Sequence, residues 1–262
     1  MYEKVKEYNN SPLIKEDEFL IIAGPCAVEE EERFLKIANY LLSRNVRYMR
    51  GGAYKPRTSP YTFQGLHEDG LEILKRVKEK TGIKVVVEIM EISQIPYYVE
   101  NIDIIQVGAR NMQNFGLLKA LGKTSKPILL KRGFGSTINE WLFAAEYILN
   151  EGNPNIILCE RGIRTFEPST RNTLDISSVP VINGITKIPV MIDPSHSSGR
   201  SDLIIPLSKA SVAVGASGIM VEVHDDPNFA LSDKDETIDF HTFDLLLENV
   251  KIIANAMKKQ TI

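Results

Sequence analysis

Three side chains that can bind a metal ion each follow an apolar run of the sequence, at the point where a strand would pass into a loop. Cys26 completes Gly-Pro-Cys after the first run, His196 completes Asp-Pro-Ser-His after a later one, and Glu222 lies in Val-Glu-Val-His at the end of the next. A thiolate, an imidazole and a carboxylate suit a borderline divalent cation such as manganese, cobalt, iron or zinc. The sequence therefore predicts a metal site, provided that the fold brings the three strand ends together.

A fourth ligand would come from the acidic loop that follows Glu222. Its carboxylates are Asp225, Asp226, Asp233, Asp235 and Glu236. Spacing alone does not choose among these five. A cysteine is also more often a small buried residue than a ligand, and Cys159, inside an apolar run, is interpreted in that way. The arrival of His196 and Glu222 at the same end favours a ligand role for Cys26.

Basic side chains occupy equivalent places near the ends of the other apolar runs. They are Arg50, Lys55, Arg57, Arg110, Lys131 and Arg161. The stretch Arg-Gly-Gly-Ala-Tyr-Lys-Pro-Arg-Thr-Ser at 50–59 combines three cations and two hydroxyls with two glycines that let a ligand approach the backbone. Arginine forks and lysine point charges suit a phosphorylated anion. The alternative is a solvated basic loop, but several cations facing one mouth would repel each other unless anions bind there.

The elements that must position these groups are apolar runs of strand length that alternate with segments of helical period. The runs are 19–23, 46–50, 84–89, 103–107, 127–131, 155–160, 189–193 and 218–223. The helical segments are 29–43, 67–80, 113–121, 137–150, 201–214 and 240–258, with Ser136 available to cap the fourth. Eight buried parallel strands in 262 residues predict a single-domain α/β fold, a (β/α)8 TIM barrel over 19–262 after a short N-terminal extension over 1–18. No GxGxxG motif follows a strand, which disfavours a dinucleotide-binding sheet.

This fold would gather the candidate residues at one end. In such barrels the chemistry lies at the carboxyl ends of the strands, and strand 8 closes onto strand 1. The ends of strands 7, 8 and 1, which carry His196, Glu222 and Cys26, would therefore be neighbours. The cations that follow strands 2, 4, 5 and 6 would line the rest of the mouth. His224 and His67 lack such a placement and are interpreted as ordinary residues.

The bulk properties argue against several classes of function. A formal net charge of −3 argues against general nucleic-acid binding. No apolar run approaches the ~18 residues of a membrane span, and the N-terminus lacks the apolar segment of a signal peptide. Two cysteines form no disulfide framework, so we expect a cytoplasmic protein with no membrane or nucleic-acid partner.

The motifs together resemble those of the 3-deoxy-D-arabino-heptulosonate 7-phosphate (DAHP) synthase family, in its short, barrel-only type Iβ form. They are Ala-Gly-Pro-Cys at 23–26, the stretch at 50–59, Gln-Val-Gly-Ala-Arg-Asn at 106–111, Leu-Leu-Lys-Arg-Gly at 129–133, Leu-Cys-Glu-Arg-Gly at 158–162, Asp-Pro-Ser-His at 193–196 and Met-Val-Glu-Val-His at 220–224. The resemblance implies the condensation of phosphoenolpyruvate with erythrose 4-phosphate, which releases phosphate and begins the shikimate pathway to the aromatic amino acids.

The resemblance also implies roles for individual residues. The divalent-metal ligands would be Cys26, His196, Glu222 and Asp233, which selects the fourth ligand that spacing leaves open. The phosphoenolpyruvate contacts would be Arg50, Lys55, Arg110, Lys131 and Arg161, and the aldose-phosphate contacts would be Arg57 and Thr58. Lys55 is the expected general acid, beside Cys26 and His196 at the catalytic centre. Family members often have a small residue and then Gln after Ser-Asp, whereas Lys234, Asp235 and Glu236 follow here.

Two rival interpretations remain. The sister reaction uses arabinose 5-phosphate and makes an octulosonate 8-phosphate. Its enzymes typically carry Lys-Ala-Asn-Arg-Ser-Ser in the strand 2 loop and some lack the metal cysteine, whereas this chain has Lys-Pro-Arg-Thr-Ser and Cys26. The other rival is a barrel that binds phosphometabolites without turnover, which the four ligands and Lys55 disfavour. We also expect a homo-oligomer, with a tetramer favoured, and no inhibition by aromatic amino acids, since the tails are too short for an effector domain.

Overall fold

Parallel strands close into a barrel at the centre of the computed structural model, which describes residues 2–9, 13–57 and 59–262. The strands are β1 (Glu18–Gly24), β2 (Tyr48–Arg50), β3 (Lys84–Ile89), β4 (Ile104–Val107), β5 (Ile128–Lys131), β6 (Ile156–Glu160), β7 (Val190–Ile192) and β8 (Gly218–Glu222). Each strand pairs in parallel with the next, and β8 pairs with β1. The predicted (β/α)8 barrel is confirmed, although β2 and β7 are shorter than their apolar runs.

Helices surround the barrel. They are α1 (Glu3–Glu7), α2 (Glu31–Ser43), α3 (Glu68–Thr81), α4 (Ile95–Asn101), α5 (Phe115–Gly122), α6 (Ile138–Asn150), α7 (Ser178–Asn183), α8 (Pro194–Ser198), α9 (Ile204–Ala213) and α10 (Phe240–Ala256). The predicted helical segments correspond to α2, α3, α5, α6, α9 and α10. The sequence does not predict α1, α4, α7 and α8, because helices of 5 to 7 residues are too short to show a 3.6-residue period.

The start of α6 differs from the prediction that Ser136 caps it. Thr137 is the N-cap: its hydroxyl oxygen accepts from the Glu140 backbone N–H at 3.2 Å, and the Glu140 carboxylate accepts from the Thr137 N–H at 2.7 Å. This reciprocal pair is a capping box, which satisfies two backbone donors at once. A threonine followed three residues later by glutamate therefore outcompetes the neighbouring serine.

The apolar core has two layers, one outside and one inside the barrel. The outer layer lies between strands and helices, with Trp141 and Tyr98 among its largest fully buried members. The inner layer fills the barrel with alternate strand residues. Its strand members are Leu20, Ile22, Val86, Ile104, Leu129, Ile157, Cys159, Met191 and Met220. The interpretation of Cys159 as a core residue is confirmed, since it is fully buried in this layer.

Residues that precede β1 and residues that follow α10 close the amino-terminal end of the barrel. Ile14 belongs to the inner layer, and Leu13 and Ile262 pack against it. A short strand β9 (Gln260–Thr261) pairs in parallel with the start of β1. The opposite end, where the strands finish, is left to the loops that carry the candidate site. Among the helices given above, none combines the length and the apolar character needed to cross a membrane.

Candidate active site at the carboxyl ends of the strands

The three ligands predicted from spacing come from neighbouring strand ends. Cys26 lies two residues beyond β1, Glu222 ends β8, and His196 lies in α8 directly after β7. Gly24 of β1 pairs with Glu222 in the parallel register. Gly24 has φ +144°, and a Cβ there would lie 2.4 Å from the Arg50 carbonyl oxygen of β2. Only glycine therefore lets the chain pass this close to its neighbour on the way to Cys26.

Four side chains, which we call the metal cluster because they could hold one metal ion, come together here: Cys26, His196, Glu222 and Asp233. Their ligand atoms all lie within 4.8 Å of one another. Donors on opposite sides of a metal ion are about 4 to 4.6 Å apart, because each bond is about 2.0 to 2.3 Å long. Cys26 and Glu222 are buried, while His196 and Asp233 are partly exposed to the cavity described below. The spacing and the mixed S, N and O donors fit one borderline divalent cation.

His196 is already in the protonation state that a metal ligand needs, whereas Cys26 still carries its thiol proton. Burial lowers the pKa of His196 to about 4, so its imidazole is neutral. Its Nδ1 lies 2.8 Å from Asp193 Oδ2, and its Nε2 lies 3.3 Å from Glu222 Oε1. With the proton on Nδ1, Nε2 keeps its lone pair toward the cluster. Burial, assisted by the Glu222 charge, raises the pKa of the Cys26 thiol to about 12, and the thiol donates to Asp233 Oδ2 at 2.8 Å.

The six predicted cations line one cavity of about 280 Å³ beside the metal cluster. We call them the cation wall, and they are Arg50, Lys55, Arg57, Arg110, Lys131 and Arg161. His196 and Asp233 line the same cavity. The remaining predicted substrate contact, Thr58, lies outside the residues that the structure describes. A cavity with metal ligands on one side and cations on the other can hold a phosphorylated anion next to a metal ion.

Two members of the cation wall contact the metal ligands directly. Arg50 is buried and donates to Glu222 Oε1 at 2.5 Å. Lys55 Nζ lies 2.8 Å from Cys26 Sγ and 3.1 Å from the Cys26 carbonyl oxygen. Burial acts to lower the pKa of Lys55, but Cys26 and the Glu222 charge together outweigh it, so the pKa is raised and the group stays an ammonium. Lys55 therefore places a positive charge at the edge of the metal cluster.

Asp193 is a fully buried carboxylate that links the metal cluster to the cation wall. Its Oδ2 accepts from Lys131 Nζ at 2.5 Å and from His196 Nδ1, and its Oδ1 accepts from the His196 backbone N–H at 2.9 Å. Burial acts to raise its pKa, but His196 and Lys131 outweigh it and hold the pKa of Asp193 well below its ordinary value. The motifs predict no role for this residue, although a carboxylate directly before Pro194 at a strand end is a signal that sequence reasoning can use.

Arg110 and Arg161 have no carboxylate within ion-pair distance in the part of the chain that the structure describes. Arg161 is buried, and burial lowers the pKa of its guanidinium. Arg110 is exposed. Both guanidiniums remain charged at neutral pH, because an arginine is not deprotonated in a protein. Their donors are therefore available to an anionic ligand.

Asp233 is the one loop carboxylate of the five candidates that reaches the metal cluster. The others are engaged elsewhere or exposed: Asp225 pairs with Arg33 and Lys36, Asp226 caps the turn at Pro227–Phe229, Asp235 is exposed, and Glu236 pairs with Arg171. The backbone of Asp233 is left-handed, with φ +54°, a conformation that aspartate tolerates better than most residues. This turn directs the loop back toward Cys26.

Further polar residues line the cavity although the sequence predicts no role for them. They include Glu88, Gln106 and Arg171. Gln106 donates to Glu88 Oε2 at 3.1 Å, and Arg171 Nη1 lies 3.5 Å from Asp233 Oδ1. Arg171 belongs to the long segment between β6 and α7, so no strand end predicts where its side chain lies.

Cavity size alone does not locate this site. A larger cavity of about 740 Å³ lies at the other end of the barrel, between α10 and β9. Within the described ranges, Cys26 and its three neighbours are the one group of side chains that could hold a metal ion. His224, interpreted as ordinary, is buried and faces Glu29 at 3.3 Å, outside the metal cluster.

Comparison with known proteins agrees with the motifs. Residues 7–259 match the model of the DAHP synthetase I family. The chain belongs to this family. The resemblance recognised from the motifs is therefore confirmed, and the protein is an enzyme of this class.

Relatives of the chain carry two different names. The chain is 56% identical over 239 residues to phospho-2-dehydro-3-deoxyheptonate aldolase of Thermotoga maritima, covering 91% of this chain and 71% of that protein. It is 33% identical over 257 residues to 2-dehydro-3-deoxyphosphooctonate aldolase of Geobacter sulfurreducens, covering 91% of this chain and 93% of that protein.

Solved structures of the Thermotoga maritima protein share the fold closely. The crystal structure of its DAHP synthase superposes with a TM-score of 0.92 at 54% identity, covering 95% of this chain and 73% of that one. A truncated form of the same enzyme superposes with a TM-score of 0.88 at 50% identity, covering 95% of this chain and 91% of that one.

Proposed function

We propose that the enzyme catalyses a metal-dependent condensation of phosphoenolpyruvate, D-erythrose 4-phosphate and water to DAHP and phosphate, the first step of the shikimate pathway. The observation that carries this proposal is the cluster of S, N and O ligand atoms that opens onto the cation wall. The 56% identity to the Thermotoga heptonate aldolase, against 33% to the Geobacter octonate aldolase, supports the four-carbon aldose as acceptor.

Phosphoenolpyruvate, with a phosphate and a carboxylate, is the ligand that the cation wall would bind. Arg110 and Arg161, which pair with no carboxylate among the described residues, offer forked donors suited to these groups. Lys131 is buried against Asp193 and adds a point charge. Because Arg161 and Lys131 are shielded from water, their attraction for an anion is stronger than that of surface cations. Arg50 and Lys55 join this half of the cavity to the metal half.

Cys26, His196, Glu222 and Asp233 would hold manganese, cobalt, iron or zinc, which when bound supplies Lewis-acid polarisation of the aldehyde oxygen. The protein's own contribution is to keep these ligands ready. Asp193 holds the His196 proton on Nδ1 so that Nε2 faces the cluster. Cys26 must lose its thiol proton, which Lys55 assists by placing a positive charge 2.8 Å from the sulfur.

The reaction forms one C–C bond and one C–O bond, the latter to a water oxygen, and breaks the C–O bond that joins C2 to the phosphate. The electron pair of the enol double bond lets C3 of phosphoenolpyruvate attack the aldehyde carbon, and a water oxygen adds to C2. The resulting hemiketal phosphate then loses phosphate and leaves the ketone. Lys55 donates a proton to the new alkoxide oxygen as general acid. The cations fix both phosphorylated substrates in one cavity, which replaces a bimolecular encounter with a positioned one.

Arg57 and Thr58 would bind the phosphate of the aldose. Arg57 lines the cavity and its Nη1 lies 3.8 Å from Asp233 Oδ2, so it stands where the metal half meets the outer rim. The Lys-Pro-Arg-Thr-Ser sequence of this loop supports erythrose 4-phosphate over arabinose 5-phosphate, which is the substrate of the sister reaction.

The test is phosphate release from phosphoenolpyruvate with each aldose phosphate, with and without a chelator. We expect kcat/KM to favour erythrose 4-phosphate and the chelator to abolish turnover. Arg57→Ala should raise KM for the aldose phosphate more than KM for phosphoenolpyruvate. Arg76→Ala, which removes an exposed arginine paired with Glu31 on the helical surface, is the matched control and should change neither. A preference for arabinose 5-phosphate would replace this proposal with the sister reaction, and no release with either aldose would support the non-catalytic rival.

We further propose that the enzyme works as a cytoplasmic homo-oligomer, with a tetramer favoured. The oligomeric state follows from the family resemblance, and the compartment follows from the two cysteines that form no disulfide framework. Sedimentation of the purified protein at the concentrations used for assay tests it, and a monomer that retains full activity would contradict it.

A further inference from the structure

The aromatic ring of Phe134 has an unusual place at the mouth of the barrel. It follows Lys131 in the loop after β5, is half-buried, and lines the cavity of the cation wall. Neither layer of the apolar core contains it. Its backbone is held from both sides, because Gly133 N–H donates to Met112 Sδ at 3.1 Å and the Phe134 carbonyl oxygen accepts from Arg164 N–H at 2.8 Å. The loops after β4, β5 and β6 therefore fix the ring jointly.

Three guanidinium groups surround this one ring. Their central carbons lie 4.6 Å (Arg161), 4.9 Å (Arg164) and 5.4 Å (Arg110) from the ring centroid. Cation–π attraction acts within about 6 Å of a centroid. Like Arg110 and Arg161, Arg164 has no carboxylate at ion-pair distance among the described residues. The ring is thus the shared neighbour of three guanidiniums that form no ion pair with a carboxylate in the described part of the chain.

The choice of an aromatic partner has a consequence for binding. A carboxylate would occupy the N–H donors of an arginine and compete with an anionic ligand, as it does at Arg132, where Glu160 and Asp175 take the same nitrogen. A ring face attracts the cation while leaving its in-plane donors free. Arg110 is exposed, and a free arginine loses rotamer freedom when it binds a ligand. Contact with Phe134 removes part of that freedom beforehand.

We propose that Phe134 is a positioning residue that holds Arg110 and Arg161 in place for the phosphate group of phosphoenolpyruvate. The ring acts through the arginines, because its electron-rich face repels an anion and makes no hydrogen bond to one. Arg164, which is exposed and does not line the cavity, adds charge to the same platform. This inference rests on the proposed function for the identity of its ligand.

The test compares Phe134→Leu, which keeps an apolar side chain without a ring face, with Phe134→Tyr, which keeps the ring. Isothermal titration measures the binding of phosphoenolpyruvate and, separately, of inorganic phosphate. We expect Phe134→Leu to weaken both about tenfold and Phe134→Tyr to stay within about twofold of the unchanged protein, as loss of two cation–π contacts implies. In turnover, Phe134→Leu should raise KM for phosphoenolpyruvate while kcat and KM for the aldose phosphate stay nearly unchanged.

A double-mutant cycle shows whether the ring acts through an arginine. In an Arg110→Gln background, Phe134→Leu should cost clearly less affinity than it does alone, because part of its effect is already lost. Phe166→Leu is the control, since Phe166 is 98% exposed and has no ring contact with a cation in the described structure. It should leave binding unchanged.

The outcomes separate this inference from the proposed function. Suppose that the unchanged protein binds phosphoenolpyruvate, and that the variants Phe134→Leu and Phe134→Tyr bind it equally well. The positioning role is then wrong, while the proposed function stands. If the unchanged protein binds phosphate but not phosphoenolpyruvate, the proposed function fails, and the phosphate titrations still decide the role of Phe134. Additive effects in the cycle would also overturn the inference. Should Phe134→Leu lower the melting temperature strongly, Phe134→Met takes its place with the same expectations.

Discussion

Replacing Asp193 by asparagine tests the link between the metal cluster and the cation wall. The change preserves shape but removes a buried charge and turns one acceptor oxygen into an N–H donor. Oδ1 can still accept from the His196 backbone N–H. The amide nitrogen would then face the Lys131 ammonium, a second donor, and would donate to His196 Nδ1. The imidazole proton would move to Nε2, the atom that faces the cluster.

The magnitude follows from the burial and the two short contacts. Asp193 is fully buried and pairs with a lysine that is itself buried, and removing one partner of such a pair typically costs about 3 kcal/mol or more. For a domain of this size, that corresponds to a fall in melting temperature of about 6 to 12 °C. Loss of the residue that orients a histidine ligand typically weakens metal binding by about 10 to 100-fold.

Three measurements check this prediction: the melting temperature in chelator, the metal affinity by competition with a chromophoric chelator, and the affinity for phosphoenolpyruvate. Asp193→Asn should impair all three. Asp202→Asn is the matched control, because Asp202 pairs with Arg200 on the exposed surface and its loss should change little. Loss of stability with unchanged metal and ligand affinities would show that Asp193 only supports the fold, and the reasoning would be refuted.

Three further predictions address the metal, the strand end and the helix cap. Cys26→Ala should lower metal affinity by more than about 100-fold, which is more than the loss expected when a residue that only orients a ligand is removed. Cys159→Ala should leave metal affinity unchanged. Competition with a chelator measures both. Gly24→Ala should destabilise the protein by about 1 to 3 kcal/mol or more, because its Cβ would lie 2.4 Å from a carbonyl oxygen of β2; denaturant unfolding measures this. Thr137→Ala should cost about 1 kcal/mol in the same assay, and Ser136→Ala should cost less, since Ser136 does not cap α6.

The barrel could be predicted because its strands are buried on both faces. Such strands appear in the sequence as unbroken apolar runs, and the runs at 84–89, 103–107 and 127–131 fall within one residue of the observed strands. The short helices could not be predicted in the same way. α8 is held by its Asp193 cap and by Pro194 at its start, and α4 and α7 depend on packing rather than on a periodic pattern.

The convergence of Cys26, His196 and Glu222 could be predicted because strand ends in a barrel meet wherever they lie in the sequence, whereas the choice of Asp233 depended on the family resemblance. The residues that contact these candidates could not be predicted. In the sequence, residue type alone does not distinguish a buried carboxylate such as Asp193 or a half-exposed arginine such as Arg171 from a solvated surface residue of the same type. Phe134 likewise resembles any loop aromatic until three guanidiniums are seen around it. Roles that depend on a contact between two loops are set by tertiary structure, which spacing along one chain does not encode.

The carboxylates around the cavity explain how a site for a metal cation and a site for an anionic substrate can lie within a few ångströms of each other. Glu222 and Asp193 each contact a metal-cluster residue and a member of the cation wall: Glu222 accepts from Arg50 while facing His196, and Asp193 joins His196 to Lys131. Positive charge next to a metal site would otherwise oppose cation binding. Because these carboxylates belong to both halves, we expect a metal ion and an anionic substrate to affect the same two ion pairs. Any effect of the metal on substrate affinity must then be matched by an equal effect of the substrate on metal affinity.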